Sequence, residues 1–209
     1  MKTSRLRAPR PADPAGVPQE PLSPTAKRIV EAAKHIIAER GFGALTLEAI
    51  AEEASVNKAA TRYHFGSKAG LIEAVVDEIV LDECASMARD LAPDATLDER
   101  LDSFIASVRR MSVDPSTFGG FYDILPHALR DRALRARLTR LYEIWYAWNA
   151  EWLGVDRLDG ARRAELEGLG QLTAAAIDGI AVQASIHGPG YDPEPTLRAF
   201  RGCLERVLR

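Results

Sequence analysis

Apolar residues recur every three or four positions along most of the chain between Ser23 and the C-terminus. Such spacing places them on one face of an α-helix, whereas a half-buried strand needs strict alternation of apolar and polar residues. No segment alternates Val, Ile or Thr with polar residues over a sustained length, so strands are not expected anywhere. The pattern predicts an all-α protein of about nine helices.

The first 22 residues have a different composition. They contain five prolines among Arg, Ala and Asp residues, and they lack the apolar middle of a signal peptide. This composition buries too little apolar surface to offset the entropy that is lost on ordering. We therefore expect residues 1–22 to be a flexible, basic arm. No segment approaches the roughly 20 apolar residues that cross a bilayer, which favours a soluble, cytoplasmic protein with no membrane partner.

Helix signals are clearest in the part of the chain that follows the arm. Ser23, followed by a proline, predicts the start of a first helix, and Gly41 predicts its end. Thr46 is a good cap for a short second helix, and Asn57 for a short third helix that is mostly polar. The turn between them holds one apolar residue, Val56. Two short helices joined in this way behind a longer helix predict a helix-turn-helix.

The charge balance indicates what kind of partner the N-terminal part of the chain binds. The formal net charge is −3, but residues 1–72 carry 11 Lys and Arg against 7 Asp and Glu. The rest of the chain then carries 16 against 23. A basic N-terminal third on an acidic body suggests a polyanionic partner such as nucleic acid at one end. A basic arm that is merely solvated is the alternative at this point.

Two segments of this region are recognisable, Thr46–Lys58 and Arg62–Lys68, together with Leu71. They resemble the N-terminal signature of the TetR family of bacterial transcriptional regulators, and the resemblance extends over about residues 23–71. The segment Ala175–Ile180 is similar to one often seen in the penultimate helix of the family. The resemblance implies a homodimer, a palindromic DNA operator and a variable C-terminal domain that binds a small effector.

Three positions depart from the family pattern. Ser55 stands where the family often has Gly, which matters if the turn requires a positive φ angle. Thr61 stands where an apolar residue is common, and Arg62 stands where Tyr is common. The first two departures bear on the packing of the helix-turn-helix, and the third bears on which bases or phosphates are contacted.

The third helix has a face free of hydrophobic burial, as entry into a major groove about 12 Å wide requires. Its first backbone N–H groups and its positive dipole end favour phosphate or base edges. The Arg62 guanidinium suits guanine O6 and N7, Lys68 at the start of the fourth helix suits phosphate, and Phe65 is expected in the core. The predicted DNA-binding residues are Thr46, Asn57, Lys58, Ala60, Arg62, Tyr63, His64 and Lys68.

Aromatic residues are concentrated in the middle of the chain. Nine of the fourteen lie between Phe104 and Trp152, and all three tryptophans share one face of a predicted helix. Such a cluster is either ordinary core or the lining of an apolar cavity for a hydrophobic or aromatic effector. The residues of the second interpretation are Phe104, Phe121, Tyr122, His127, Trp145, Trp148 and Asn149.

Two C-terminal segments predict a surface between copies of the chain. The helix expected over residues 161–187 is apolar nearly all round, so it must be covered on two sides. Together with the last helix, over residues 195–208, its second face suits an isologous four-helix dimer contact. Cover by other helices of the same chain is the alternative.

No feature of the sequence indicates catalysis. Asp123 and His127, four residues apart, could share a metal or form an acid–base pair, but two residues complete neither kind of site. The chain has no nucleophile motif and no nucleotide-binding motif, and its two cysteines stand apart from any metal-ligand cluster. We therefore predict a protein that is not an enzyme and that needs no cofactor or metal.

These predictions divide the chain into the arm, a helix-turn-helix DNA-binding domain over residues 23–70, and a helical effector-binding and dimerisation domain over residues 71–209. The predicted function is that of a homodimeric repressor on a palindromic double-stranded DNA operator. A small hydrophobic or aromatic effector is expected to release it. The alternative is a helical small-molecule-binding or catalytic protein that binds no operator.

Overall fold

The computed structural model describes residues 22–89, 94–113 and 115–209, apart from the side chains of residues 79–89, 113, 115–121 and 189. These residues form ten α-helices and no strand, so the protein is all-α, as predicted. None of the helices within them combines the length and the apolar character that crossing a membrane would need. Of the predicted arm, residues 1–21 lie outside the described part of the chain.

The first three helices begin at the residues that their predicted caps indicate. The first begins at its predicted cap, because the Ser23 hydroxyl accepts a hydrogen bond from the Ala26 amide at 3.2 Å. The helices are α1 (Pro24–Arg40), α2 (Leu47–Glu53), α3 (Lys58–Phe65), α4 (Lys68–Arg89), α5 (Leu97–Val113), α6 (Pro115–Ala128), α7 (Arg132–Trp152), α8 (Gly160–Glu165), α9 (Leu169–His187) and α10 (Glu194–Leu208).

The sequence predicts one continuous helix over residues 161–187, and this prediction is wrong. α8 ends at Glu165, and α9 begins at Leu169 after a short turn. Gly168 immediately precedes α9, and glycine is the weakest helix former after proline. This break accounts for the tenth helix.

Pro115 and two glycines, Gly119 and Gly120, lie at different places relative to the helix boundaries: α5 ends at Val113, just before Pro115, whereas both glycines are inside α6. α6 begins at Pro115 and runs through both glycines to Ala128. Proline suits the first position of a helix, because that position needs no N–H donor. Phe121 therefore lies in the middle of this helix.

The described residues form two compact units. The first, here called the head unit, contains residues 22–82 and 115–141, and thus α1–α3, α6 and the first parts of α4 and α7. The second, the body unit, contains the described residues of 83–113 and 142–209, and thus α5, α8–α10 and the last parts of α4 and α7.

The head unit is built around the apolar face of α1. Ile29, Ala33, Ile36 and Ile37 on this face are all buried, and α1 packs against α2, α3 and α6. Fully burying an isoleucine side chain contributes roughly 1.5–3 kcal/mol. This one face therefore stabilises the helix-turn-helix and α6 together.

The body unit is built around α5, which packs against α9 and α10. An ion pair between Arg109 and Glu194 joins α5 to α10. At the start of α5, the Arg100 guanidinium donates to the Trp152 carbonyl at 2.9 Å, and the Trp152 indole N–H donates to the Arg100 carbonyl at 3.3 Å. Both residues are buried, so this reciprocal pair joins α5 to the end of α7 without competition from solvent.

The turn between α2 and α3 has the backbone conformation that favours glycine. Ser55 has a φ angle of 52°, and it is the one non-glycine residue with a positive φ in the described part of the chain. A side chain in the left-handed region costs roughly 1–2 kcal/mol. The departure from the family pattern at Ser55 is therefore accommodated at the expense of local strain.

The second departure leaves a polar atom in the core. Thr61 is the one buried residue of α3, with 1% of its surface accessible. Its Oγ1 atom has no hydrogen-bond partner among the described residues. A buried hydroxyl without a partner costs about 1–3 kcal/mol, a cost that an apolar side chain at this position avoids.

Replacing Thr61 with the isosteric Val should stabilise the protein, because it removes the unpaired hydroxyl and keeps the shape. We expect the free energy of unfolding of Thr61→Val to exceed that of the wild type by about 1 kcal/mol, measured by urea denaturation with circular dichroism. Thr139→Val is the control, because Thr139 is exposed and its hydroxyl already donates to the Arg135 carbonyl. A Thr61→Val protein no more stable than the wild type would contradict this account.

Candidate nucleic-acid interface

Two side-chain caps set the start of the two short helices. The Thr46 Oγ1 atom accepts a hydrogen bond from the Ala49 amide at 3.1 Å. The Asn57 Oδ1 atom accepts one from the Ala60 amide at 2.8 Å. Both are the predicted caps, and each pairs an amide that has no partner within its own helix. They determine where α2 and α3 begin.

α3 exposes half of its side chains to solvent. Lys58, Arg62 and Tyr63 are exposed, and Tyr63 has 85% of its surface accessible. His64 is half-buried, with its ring edge-on to that of Tyr63 at 5.1 Å between centroids. Phe65, expected in the core, is also half-buried. The outward face is therefore polar and cationic, which suits a helix that enters a DNA groove.

One backbone amide that was predicted to contact DNA is already hydrogen-bonded within the protein. The Ala60 amide donates to both the side chain and the carbonyl of Asn57, so this N–H does not hold a phosphate in the described conformation. The first N–H groups of a helix have no intrahelical acceptor, which leaves those of Lys58 and Ala59 for this role. Ala60 itself is half-buried.

An acidic residue at this surface was not predicted from the sequence. Glu48, in the first turn of α2, forms an ion pair with Lys58, the first residue of α3. The hydrogen bond from Lys58 lowers the pKa of the Glu48 carboxyl, and the positive charge of Arg62 lowers it further. Glu48 and Lys58 are on different helices on either side of the turn, so no helical spacing rule brings them together.

Lys68 begins α4 and lies beside the connection between α1 and α2. Its Nζ atom is 5.6 Å from the centroid of the Phe42 ring, a distance at which a cation is attracted to an aromatic face. α6 also contacts Phe42. The Phe42 amide donates to Asp123 Oδ2, and the centroid of the His127 ring lies 4.2 Å from that of the Phe42 ring. One aromatic residue therefore joins the start of α4 to α6.

This arrangement gives Asp123 and His127 a structural partner in the head unit. Among the residues that the structure describes, no three His, Cys, Asp or Glu side chains come together to hold a metal ion. His127, also predicted to line an effector cavity, is exposed, and Tyr122 is half-buried in the same unit. The side chain of Phe121 lies outside the described residues.

Four predicted effector residues are in the body unit, and all four are buried: Phe104, Trp145, Trp148 and Asn149. Asn149 is fully inaccessible, yet neither its Oδ1 nor its Nδ2 has a hydrogen-bond partner among the described residues, and the same holds for Trp148 Nε1. Buried polar atoms without partners are rare in native proteins. None of these four residues lines the open groove of about 580 Å³ between α7 and α8.

α9 has one covered and one exposed apolar face. Thr173, Ile177 and Ala184 on the first face are buried. On the second face, Leu172 and Ile186 have 66% and 76% of their surface accessible. The described residues of the same chain therefore leave this face uncovered. The face, here called the α9 stripe, consists of Leu172, Ala175, Gly179, Val182 and Ile186.

Comparison with known proteins places the helix-turn-helix in a family. The family model for bacterial regulatory proteins of the tetR family matches residues 29–75. The uncharacterized HTH-type transcriptional regulator YvkB of Bacillus subtilis (strain 168) is 39% identical over 57 residues, which are 27% of this chain and 30% of YvkB. The HTH-type transcriptional regulator BetI of Rhizobium meliloti (strain 1021) is 29% identical over 190 residues, 88% of this chain and 89% of BetI.

Solved structures share the fold over most of the chain. A member of the TetR family from Streptomyces coelicolor A3 superposes with a TM-score of 0.64 at 22% identity, covering 90% of this chain and 99% of that one. The multidrug binding protein EbrR, in complex with imidazole, superposes with a TM-score of 0.62 at 23% identity, covering 90% of this chain and 97% of EbrR.

The family match, the similar sequences and the shared fold agree with the capped helix-turn-helix described above. Together they support a transcriptional regulator of the TetR family with a DNA-binding helix-turn-helix.

Proposed function

We propose that the protein binds a palindromic operator as a homodimer and represses transcription until a small hydrophobic or aromatic effector binds. The observation that carries this proposal is the exposed, cationic face of α3 on a capped helix-turn-helix. A chromosomal operator also implies a cytoplasmic location.

We assign base readout to Arg62 and contacts with the DNA backbone to the residues around it. Arg62 is exposed in the middle of α3, and its planar guanidinium can donate two hydrogen bonds to guanine O6 and N7. Hydroxyl, amide, aromatic and cationic side chains near it suit phosphate or sugar contacts. These residues are Thr46, Asn57, Lys58, Tyr63, His64 and Lys68. Ala60 contributes a small side chain that allows close approach.

The proposed dimer uses α9 together with α10. The α9 stripe is apolar and carries Gly179 at its centre, where the missing side chain lets a second helix approach closely. Val207 of α10 is also exposed, with 38% of its surface accessible. We assign a second copy of the chain to this face, because a palindromic operator requires two recognition helices about 34 Å apart.

The proposed effector site lies beside the tryptophans of α7. A buried polar group without a partner costs about 1–3 kcal/mol, so a ligand that pairs Asn149 and Trp148 binds more tightly than a hydrocarbon of the same size. Asn149 offers a donor and an acceptor, and Trp148 offers a donor. The expected effector therefore has an apolar or aromatic body and a hydrogen-bonding edge. Imidazole, the molecule bound to EbrR, is an aromatic ring with one donor and one acceptor.

The proposed switch acts through α4. This helix contributes residues to both units, and its first residue, Lys68, lies on the Phe42 ring that α6 also holds. We propose that effector binding pivots α4 and changes the separation of the two recognition helices. A complete switch requires the effector to bind the DNA-incompetent state about 10⁴-fold more tightly than the competent one.

Operator binding is tested by gel shift with the DNA that flanks the coding sequence of this protein. We expect a complex that withstands an excess of scrambled duplex, because base readout adds to the attraction of the phosphates. Binding no tighter than that to scrambled duplex would contradict the proposal. It would favour a helical small-molecule-binding or catalytic protein instead.

Two variants in the same assay separate base readout from phosphate attraction. Arg62→Ala should lose about 1–3 kcal/mol of operator affinity and relax the preference at one base pair. Lys68→Ala should weaken binding to all sequences alike and flatten the salt dependence. Arg163→Ala, an exposed arginine of α8, removes the same charge outside the interface and serves as the control. If all three variants behave alike, the assigned contacts are wrong.

A charge on the α9 stripe should separate the dimer, because two copies of it would face each other across the two-fold axis without a partner. We expect Ile186→Glu to be a monomer by light scattering and to lose most of its operator affinity. Leu129→Glu is the matched control, because Leu129 is also an exposed apolar residue, with 72% of its surface accessible, and lies outside the stripe. A dimeric Ile186→Glu protein would exclude the stripe as the interface.

Removing the amide of Asn149 should weaken the response to the effector. We expect Asn149→Leu to bind the operator as the wild type does without effector. It should need at least about 10-fold more of the compound that best releases the wild type, since two or more hydrogen bonds are lost. The measurement is release of labelled operator against compound concentration. An unchanged half-release concentration would remove Asn149 from the effector site.

A further inference from the structure

The ion pair between Glu48 and Lys58 places an acidic side chain within the surface proposed to meet DNA. The side chains of Glu48 and Lys58 are 66% and 54% accessible, so both groups are open to an approaching duplex. Because duplex DNA is a dense polyanion, a carboxylate at this position opposes binding to every sequence. An acidic residue in the first turn also stabilises α2 through the helix dipole, but that role needs no partner on α3.

The charges that face Glu48 come from α3. Lys58 donates to its carboxylate, and the positive charge of Arg62 acts on the same group. Both lower the pKa of the Glu48 carboxyl, the hydrogen bond from Lys58 most of all. Lys58, the first cationic residue of α3, is therefore already paired within the protein when no DNA is bound.

We propose that Glu48 sets how tightly the head unit binds DNA phosphates, because its carboxylate holds the Lys58 ammonium and so withholds this cation from them. The inference rests on the proposed function, because it requires α3 to enter the major groove. On an operator, base contacts such as those of Arg62 add to the phosphate attraction, and the ion pair opposes binding there as well. On other sequences phosphate attraction acts alone, and the ion pair competes with it.

The size of the effect follows from what an exposed ion pair contributes. Such pairs change an equilibrium constant by a factor of about 1.5 to 5. A released Lys58 adds up to one phosphate contact for each bound head unit, which steepens the slope of log K against log salt concentration by about 0.9. Both quantities can be measured on operator and scrambled duplexes.

The test compares Glu48→Gln with Glu52→Gln in the full-length protein. Both residues are exposed on α2, and each variant removes one negative charge, but no ion pair joins Glu52 to another described residue. Fluorescence anisotropy gives the affinity for each duplex over a range of salt concentrations. We expect Glu48→Gln to bind scrambled duplex about 1.5- to 5-fold more tightly than Glu52→Gln for each bound head unit, with a steeper salt dependence, and to gain at least as much on the operator.

A double variant tests whether Glu48 acts through Lys58. In a Lys58→Met background no ammonium remains to be released, so the change of Glu48 to Gln should have the same effect as the change of Glu52 to Gln. Circular dichroism checks that each variant is folded. Glu48→Ala repeats the comparison should Glu48→Gln be unfolded.

Two results would overturn the proposal. One is an equal effect of Glu48→Gln and Glu52→Gln on scrambled duplex. The other is a loss of operator affinity in Glu48→Gln with no change on scrambled duplex, which would make Glu48 a direct acceptor for cytosine N4. Failure of the proposed function is distinguishable from both, because Arg62→Ala and Lys68→Ala would then leave binding to the operator unchanged.

Discussion

The packing of α3 against α1 and α2 is the interaction on which the rest of the protein depends. α3 has eight residues, and Thr61 is the one among them that is buried. Its direction is set by the Asn57 cap at its start and by Gly66 after its end, where φ is 68°. Because so few of its side chains are needed for packing, the others are left for nucleic acid. The large apolar face of α1 supplies the stability that α3 lacks.

The same head unit contains a short route by which a change in α6 reaches the DNA-binding surface. Phe42 receives contacts from Asp123 and His127 of α6 and from Lys68 of α4. Its backbone is held by a hydrogen bond, and its ring by two neighbours, so α6 and the start of α4 are constrained to move together. A protein that couples effector binding to DNA binding needs such a link between packed elements.

Buried polar atoms have different consequences in the two units. In the head unit, the Thr61 hydroxyl has no partner among the described residues, and because the family commonly has an apolar residue at this position, we expect it to lower stability without a chemical role. In the body unit, Trp148 and Asn149 are neighbours in the chain, and their donor and acceptor atoms find no partner within the part of the chain that the structure describes. Conflicts with packing rules are expected where a protein binds a ligand. The second pair of residues is therefore the better indication of function.

The sequence by itself determined the local features. Ser23, Thr46 and Asn57 were predictable caps because each pairs an amide three residues further along the chain. Contacts between distant segments were not predictable, since no spacing rule relates Phe42 to Asp123, 81 residues away, or brings Glu48 across the turn to Lys58. The sequence also showed that α9 has two apolar sides, but only tertiary packing decided which side is covered. Periodicity specifies the residues of a helix face, whereas the neighbours of that face depend on how the whole chain folds.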